Sequence, residues 1–325
     1  MNMAIFAEEK SNNTMSQDYK ITVAIPAYKD AFLRETIESV LSQVYENFEL
    51  VIVNDASPYD LDSIISVYND SRIRYFTNKK NCGAKDVVDN WNICLAKSAG
   101  SYFMCIGDDD RLKPNCLFDL AVLISKYPDA DLLHSRTEVI DVHSNLIETL
   151  PQQSEWESVF SFVSSFNDSG LGSYLFKSKI LKEEGGFYKL PYGWSSDVVS
   201  AIRAASSHGV VHTQETGFQY RASGFTISHD IKSIEDKILA NQQATTFLIS
   251  HLASVKNYNA EDEVLKAKIP NVIEDRMRQK NDDMIEFDIR KDFTKRAIFW
   301  LTHRKQYGVS LSRYIRCALK AIKYK

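Results

Sequence analysis

The chain of 325 residues is long enough for one large α/β domain with an appendage, or for two modest domains. Its 44% apolar and 25% charged residues are those of an ordinary globular protein, and a formal net charge of -4 lacks the basic footprint of a general nucleic-acid binder. Five widely spaced cysteines without a CxxC pair suggest free thiols in a reducing compartment, neither a disulfide framework nor a zinc site, and no run of 18 apolar residues is present to span a membrane.

The first 20 residues are polar and hold no hydrophobic signal core, so residues 1–19 read as a loose tail and the protein as cytoplasmic. Ile21 to Ile25, ended by Pro26, predicts a first strand. Leu33, Ile37, Val40, Leu41 and Val44 then share one face of a helix over 32–44, and Leu50 to Val53 forms a second strand. The alternation continues with a helix from Asp60 to Tyr68, a strand from Ile73 to Phe76, and a helix from Lys85 to Lys97. It is followed by a strand from Tyr102 to Ile106, a helix from Asn115 to Lys126 and a strand from Asp131 to Ser135. Repeated units of this length predict a mostly parallel central sheet flanked by helices, with ligands beyond the carboxyl ends of its strands.

Polar residues collect at those ends. Pro26, Ala27, Tyr28, Lys29 and Asp30 follow the first strand, and Asn54, Asp55, Ala56 and Ser57 the second. A later strand runs into Gly107-Asp108-Asp109-Asp110. Carboxylates packed so closely raise one another's pKa unless a cation neutralises them, and hard oxygen ligands suit Mg²⁺ or Mn²⁺; an acidic cluster is also a common solvated surface. No Gly-x-Gly-x-x-Gly follows the first strand and no P-loop signature occurs, so a dinucleotide-binding fold or P-loop ATPase lacks its phosphate cradle.

Several of these segments recur in the order and spacing of a known family. They are 23–30, 33–43, 48–57, Asn81-Cys82-Gly83, Asn92 with Ala99-Gly100, and 107–110, joined later by Gly186-Phe187 and Ser196-Asp197. From Ile21 to about Arg221 the chain resembles the family 2 glycosyltransferases, which have the GT-A fold. The resemblance implies that the backbone at Pro26, Ala27 and Tyr28, with Asp30, lines a nucleotide pocket, and that Asp55 accepts the N–H of a uracil-like base. Asn81 and Gly83 would lie beneath the nucleotide, Asp108 would touch the ribose, and Asp109 would hold a divalent ion on the diphosphate with Asp110 as helper. Asp197 takes the place of the family's catalytic base, which implies inversion at the anomeric carbon. His229 stands near where some GT-A enzymes supply a histidine to the metal. Two positions depart from the family: Gly107 and Asn54 stand where a carboxylate is common.

Local sequence leaves alternatives open. Asp55 before Pro58 also suits an Asx turn, and Asp197 the first turn of a helix running through Ala205. Tyr188, Tyr192 and Trp194 suit either sugar stacking or core packing. Arg221 suits either a diphosphate contact or a solvated surface. Residues 156–166 read as a helix, and 169–173 as a turn entering a strand over 174–176.

Beyond His229 the resemblance fades into candidate helices over 231–252, 260–278, 293–300 and 310–324. The last places Leu311, Ile315, Ala318, Leu319 and Ile322 on one face amid basic residues, which suits packing on the protein or a twin subunit, or contact with the inner face of an anionic membrane. The expected organisation is a tail over 1–19, a GT-A domain over 20–229, divided near 112 into nucleotide and acceptor halves, and a helical region over 230–325. The expected activity is metal-dependent transfer from a nucleoside-diphosphate sugar, UDP-sugar favoured, to a glycan or lipid-linked saccharide in surface polysaccharide synthesis. A nucleotidyltransferase would need a glycine-rich, basic signature near the first strand, which Ala24-Ile25-Pro26-Ala27-Tyr28 fits poorly. An inactive glycan-binding scaffold of the same fold is the nonenzymatic alternative.

Overall fold

The computed structural model describes residues 19–165, 169–223 and 233–323. The order of strands explains where a crevice must open. β1 (Ile21–Ala27) lies between β2 (Phe48–Asn54) and β4 (Tyr102–Cys105), with β3 (Ile73–Thr77) outside β2, all four parallel. The chain therefore builds outward from β1 and returns to its other side, so the loops after β1 and β4 diverge at a switch point.

The sheet becomes mixed beyond β4. β9 (Tyr174–Lys177) runs antiparallel to both β4 and β6 (Leu132–Ile140), and β10 (Val210–Arg221) runs parallel to β6. The short β5 (Arg111–Leu112) closes that edge antiparallel to β10, while β7 (Leu146–Thr149) pairs with β6 and β8 (Trp156–Glu157) with β10.

Alternation along β2 divides the core. Leu50 and Ile52 face α1 (Leu33–Leu41) and α4 (Cys116–Lys126), in one cluster with Ile37, Val40, Leu120 and Ile124. Val51 and Val53 face the other way, toward Trp91 and Leu95 of α3 (Val87–Lys97) and Val199 and Ile202 of α7 (Ser196–Ala205). Between these come α2 (Leu61–Ile65), α5 (Val159–Ser165) and α6 (Ser178–Glu183).

Two expectations shift locally. The helix anticipated over 156–166 begins only at Val159, because Trp156 and Glu157 pair with β10 and the Ser158 hydroxyl accepts the Ser161 amide at 3.2 Å. The first helix ends at Leu41, leaving Val44 exposed.

Four helices follow: α8 (Ile234–Ser254), α9 (Glu261–Lys291), α10 (Phe293–His303) and α11 (Leu311–Lys323). Ala244 and Leu248 of α8, with Ile269, Ile273 and Met277 of α9, enter the same cluster as α7. α9 outruns its expected end at Arg278 because its buried stripe continues every fourth residue through Asn281, Ile285 and Ile289. A smaller core joins Ile238, Ile285, Ile289, Trp300, Tyr307 and Cys317.

Candidate active site

The acidic turn after β4 is built against the end of β1. Asp108 Oδ2 accepts the backbone amides of Tyr28 at 2.8 Å and Lys29 at 2.7 Å, tying the two diverging loops together. The Lys29 ammonium lies 3.3 Å from Asp109 Oδ2 and 3.9 Å from Asp108 Oδ1. Burial depresses the Lys29 pKa, but the three aspartates outweigh it and hold it above its ordinary value. Burial also raises Asp108 against the opposing pull of Lys29, and burial with the nearby Asp109 charge pushes Asp110 up to about 8.

Arg221 holds this turn from behind. It is fully buried, corrects both readings of it as a surface or diphosphate residue, and donates from Nε to the Asp109 carbonyl at 2.7 Å. Its amide donates to Asp110 Oδ1 at 3.0 Å, and its guanidinium pairs with Glu35 at 2.9 Å over the Phe32 ring. A side chain at Gly107 would begin 2.9 Å from Asp110 Oδ2 and 3.0 Å from Asp109 Oδ1.

The end of β2 carries a second carboxylate. Asp55 Oδ1 accepts Asn78 Nδ2 at 2.8 Å and the Cys82 amide at 3.0 Å, while Asn81 Nδ2 donates to the Asp55 carbonyl at 2.8 Å. The loop beneath the cavity thus hangs from Asp55, and Gly83 lets it turn with φ of 83°. Asn54 instead bonds Tyr75 and the Ser57 amide, a scaffold role that needs no charge.

The third wall is a twisted segment before α7. Tyr192, Gly193 and Ser195 all have positive φ, of 60°, 65° and 66°. Two non-glycine residues in that region store strain, and the fold offsets it with contacts on both sides. Gly193 sits so close to Trp91 that a Cβ would lie 2.7 Å from the indole. Ser195 Oγ donates to Asn241 on α8, which donates in turn to Asn281 on α9 at 2.7 Å. Lys237 of α8 lies 4.9 Å above the Trp194 ring. This bracing presents Asp197 in the first turn of α7, half-buried, accepting the Val198 amide at 2.9 Å.

These walls enclose one cavity of about 640 Å³. Pro26, Tyr28, Asp55, Asn81 and Gly83 line it, together with Asp108, Asp109 and Asp110 and with Asp197. Ala27 is buried within β1 and Asp30 is exposed, and neither reaches the wall. Tyr192 and Trp194 line the cavity, whereas Tyr188 packs on Phe247 at 4.4 Å between ring centres. His229 lies outside the described residues. Two cationic residues to which the sequence reading gave no role also reach the cavity: Lys29, adjacent to the anticipated motif, and Lys280 from α9, for which no local signal exists.

A parallel nucleotide-type half joined to a mixed half, with aspartates from three elements around one crevice, defines a GT-A fold. Residues 22–167, a little under half of the chain, match the model described as glycosyl transferase family 2. A Rickettsia bellii protein named as an uncharacterized glycosyltransferase is 32% identical over 155 residues, covering 46% of this chain and 22% of that protein. WcaA of Escherichia coli, whose name refers to colanic acid biosynthesis, is 38% identical over 106 residues, 32% of this chain and 37% of WcaA. The chain thus spans well under half the length of these relatives. The fold extends further than the sequence similarity: S. aureus TarS, solved in complex with UDP-GlcNAc, superposes with a TM-score of 0.64 over 94% of this chain and 91% of that one, at 14% identity.

Proposed function

We propose that this protein transfers a sugar from a nucleoside diphosphate, UDP favoured, to a saccharide acceptor in surface polysaccharide synthesis. The observation that carries the reading is the convergence of Asp55, Asp109 and Asp197, from β2, β4 and α7, on one cavity. Asp55 offers a fixed carboxylate to base N–H groups, and the relatives' names support the glycan context.

The donor set fits a divalent ion. Mg²⁺ or Mn²⁺ on a nucleotide takes about one or two protein carboxylates and completes its shell with phosphate oxygens and water. Asp109, with Asp110 beside it, offers that number. Among the described residues no three His, Cys, Asp or Glu side chains surround one metal position. When bound, such an ion supplies Lewis-acid stabilisation of the departing diphosphate.

The remaining work falls to side chains of the cavity. Lys29, held 3.3 Å from Asp109, adds positive charge where the leaving group's charge grows. Trp194 and Tyr192 offer aromatic faces to the sugars. Asp197 takes the acceptor hydroxyl proton as that oxygen bonds the anomeric carbon and the C–O bond to the diphosphate breaks, which inverts the centre.

The test is UDP release from a panel of UDP-sugars with acceptor extracts and Mn²⁺. The intact protein should turn over one donor, and Asp197→Asn should lower transfer by about 10²- to 10⁴-fold with UDP affinity unchanged. Transfer at the normal rate by Asp197→Asn would reject that residue as the base.

A further inference from the structure

The C-terminal helix α11 is held by one face only. Cys317 and Ala321 are buried against the small core of α9 and α10, and Arg313 pairs with Asp282 of α9 at 2.6 Å. On its other side Leu311 is 49%, Ile315 46%, Leu319 62% and Ile322 54% exposed. At about 100° per residue these four occupy an arc of roughly 80°, and Arg316, Lys320 and Lys323 fall on the arc beside it. α10 adds Ile298 and Leu301, also exposed.

Charge decides what such a face would meet. No Asp or Glu occurs after Asp292, whereas nine Lys and Arg residues do. The acidic groups packed nearby belong to α9, where Asp282 engages Arg313 and Glu286 lies 3.9 Å from Lys320. The same helix of a second copy has no acidic residue to meet these cations. A surface of anionic phospholipid accepts both the apolar stripe and the flanking cations.

We propose that α11 lies in the interface of an anionic membrane, inserting Leu311, Ile315, Leu319 and Ile322 below headgroups that pair with Arg316, Lys320 and Lys323. This assignment is independent of the donor and acceptor of the cavity. It differs from a membrane span: among the described residues no helix is long and apolar enough to cross a bilayer.

Flotation of the full chain with vesicles tests it. Binding should be strong on equimolar phosphatidylglycerol and phosphatidylcholine, weak on phosphatidylcholine alone, and weaker with added salt. The double variant Ile315→Glu, Leu319→Glu should lose about tenfold or more in binding, since it places charge in the apolar face. Both side chains are exposed, so its thermal transition should be unchanged, and Arg316→Glu should reduce binding to the anionic vesicles alone. Equal binding by the double variant, or no preference for anionic vesicles, would overturn the proposal. So would a dimer in solution that dissociates in the double variant while vesicles bind neither form, because the face would then belong to a second copy.

Discussion

Neighbouring aspartates in this protein have different surroundings, and therefore different work. Asp108 is committed to two backbone amides, Asp110 to the amide of Arg221, and Asp109 faces Lys29 across 3.3 Å. The cluster was legible as a motif, since carboxylates after an apolar run stand out in any reading. Its division of labour was not, because the deciding partners lie 79 to 111 positions away in sequence. Arg221 makes the same point: an arginine near a site suggests phosphate or solvent, and only tertiary structure shows it buried behind the turn. Asp55 carries a testable consequence of its own. Asp55→Asn removes a charged acceptor from the Cys82 amide and from the face offered to a base, so UDP affinity should fall by about tenfold or more, read by calorimetry. An unchanged Kd would exclude Asp55 from base recognition.

Glycines and amides flagged by resemblance mostly serve elements rather than chemistry. Gln43 fixes the start of α4 through the Leu117 amide, and Asn92 accepts the Phe187 amide at 2.8 Å. Gly100 stands where a Cβ would lie 2.6 Å from the Thr22 nitrogen. The parallel strands β1, β2 and β4 were legible because each is a largely apolar run. β10 was not: its register shifts twice between His212 and Phe218, which blurs the alternation that marks a strand. Glu49 ties β2 to its neighbours. Burial alone would raise its pKa, but Thr22 Oγ1 at 2.7 Å, the Ala99 amide at 2.5 Å, and Lys20 and Arg74 hold it at about 2. A carboxyl depressed on folding stabilises the folded state fully above its ordinary value of 4.5 and loses that contribution as pH falls toward about 2. Denaturant titrations of Glu49→Gln should show about 2 kcal/mol less stability at pH 7 and a flatter pH dependence across that window. An unchanged slope would remove Glu49 from the acid response.

At the scale of the molecule, the C-terminal helices are part of the site's support. By sequence alone they separate near residue 230, where resemblance fades and composition turns helical. The structure packs Ala244, Leu248, Ile273 and Met277 into the core of α7 and brings Lys280 to the cavity. No local signal marks Lys280, because a lysine on a polar helix face reads as solvated until the helix is placed. The Ser195–Asn241–Asn281 chain links these helices to the strained segment before Asp197. Asn281→Leu would leave the Asn241 amide without that acceptor, costing about 1–3 kcal/mol in stability. Because the chain braces Asp197 and not the loop hung from Asp55, kcat should fall while the Kd for UDP stays the same. A raised Kd with unchanged kcat would place the coupling elsewhere.

The convergence of the Asp55, Asp109 and Asp197 walls on one cavity is tested most directly by calorimetric titration of UDP, GDP, TDP and CDP, with and without Mn²⁺, into the intact protein and Asp109→Asn. Preferential UDP binding that strengthens with Mn²⁺ and loses that gain in Asp109→Asn is the expected result; no binding of any diphosphate in either condition would contradict the assignment of this cavity to a nucleotide sugar.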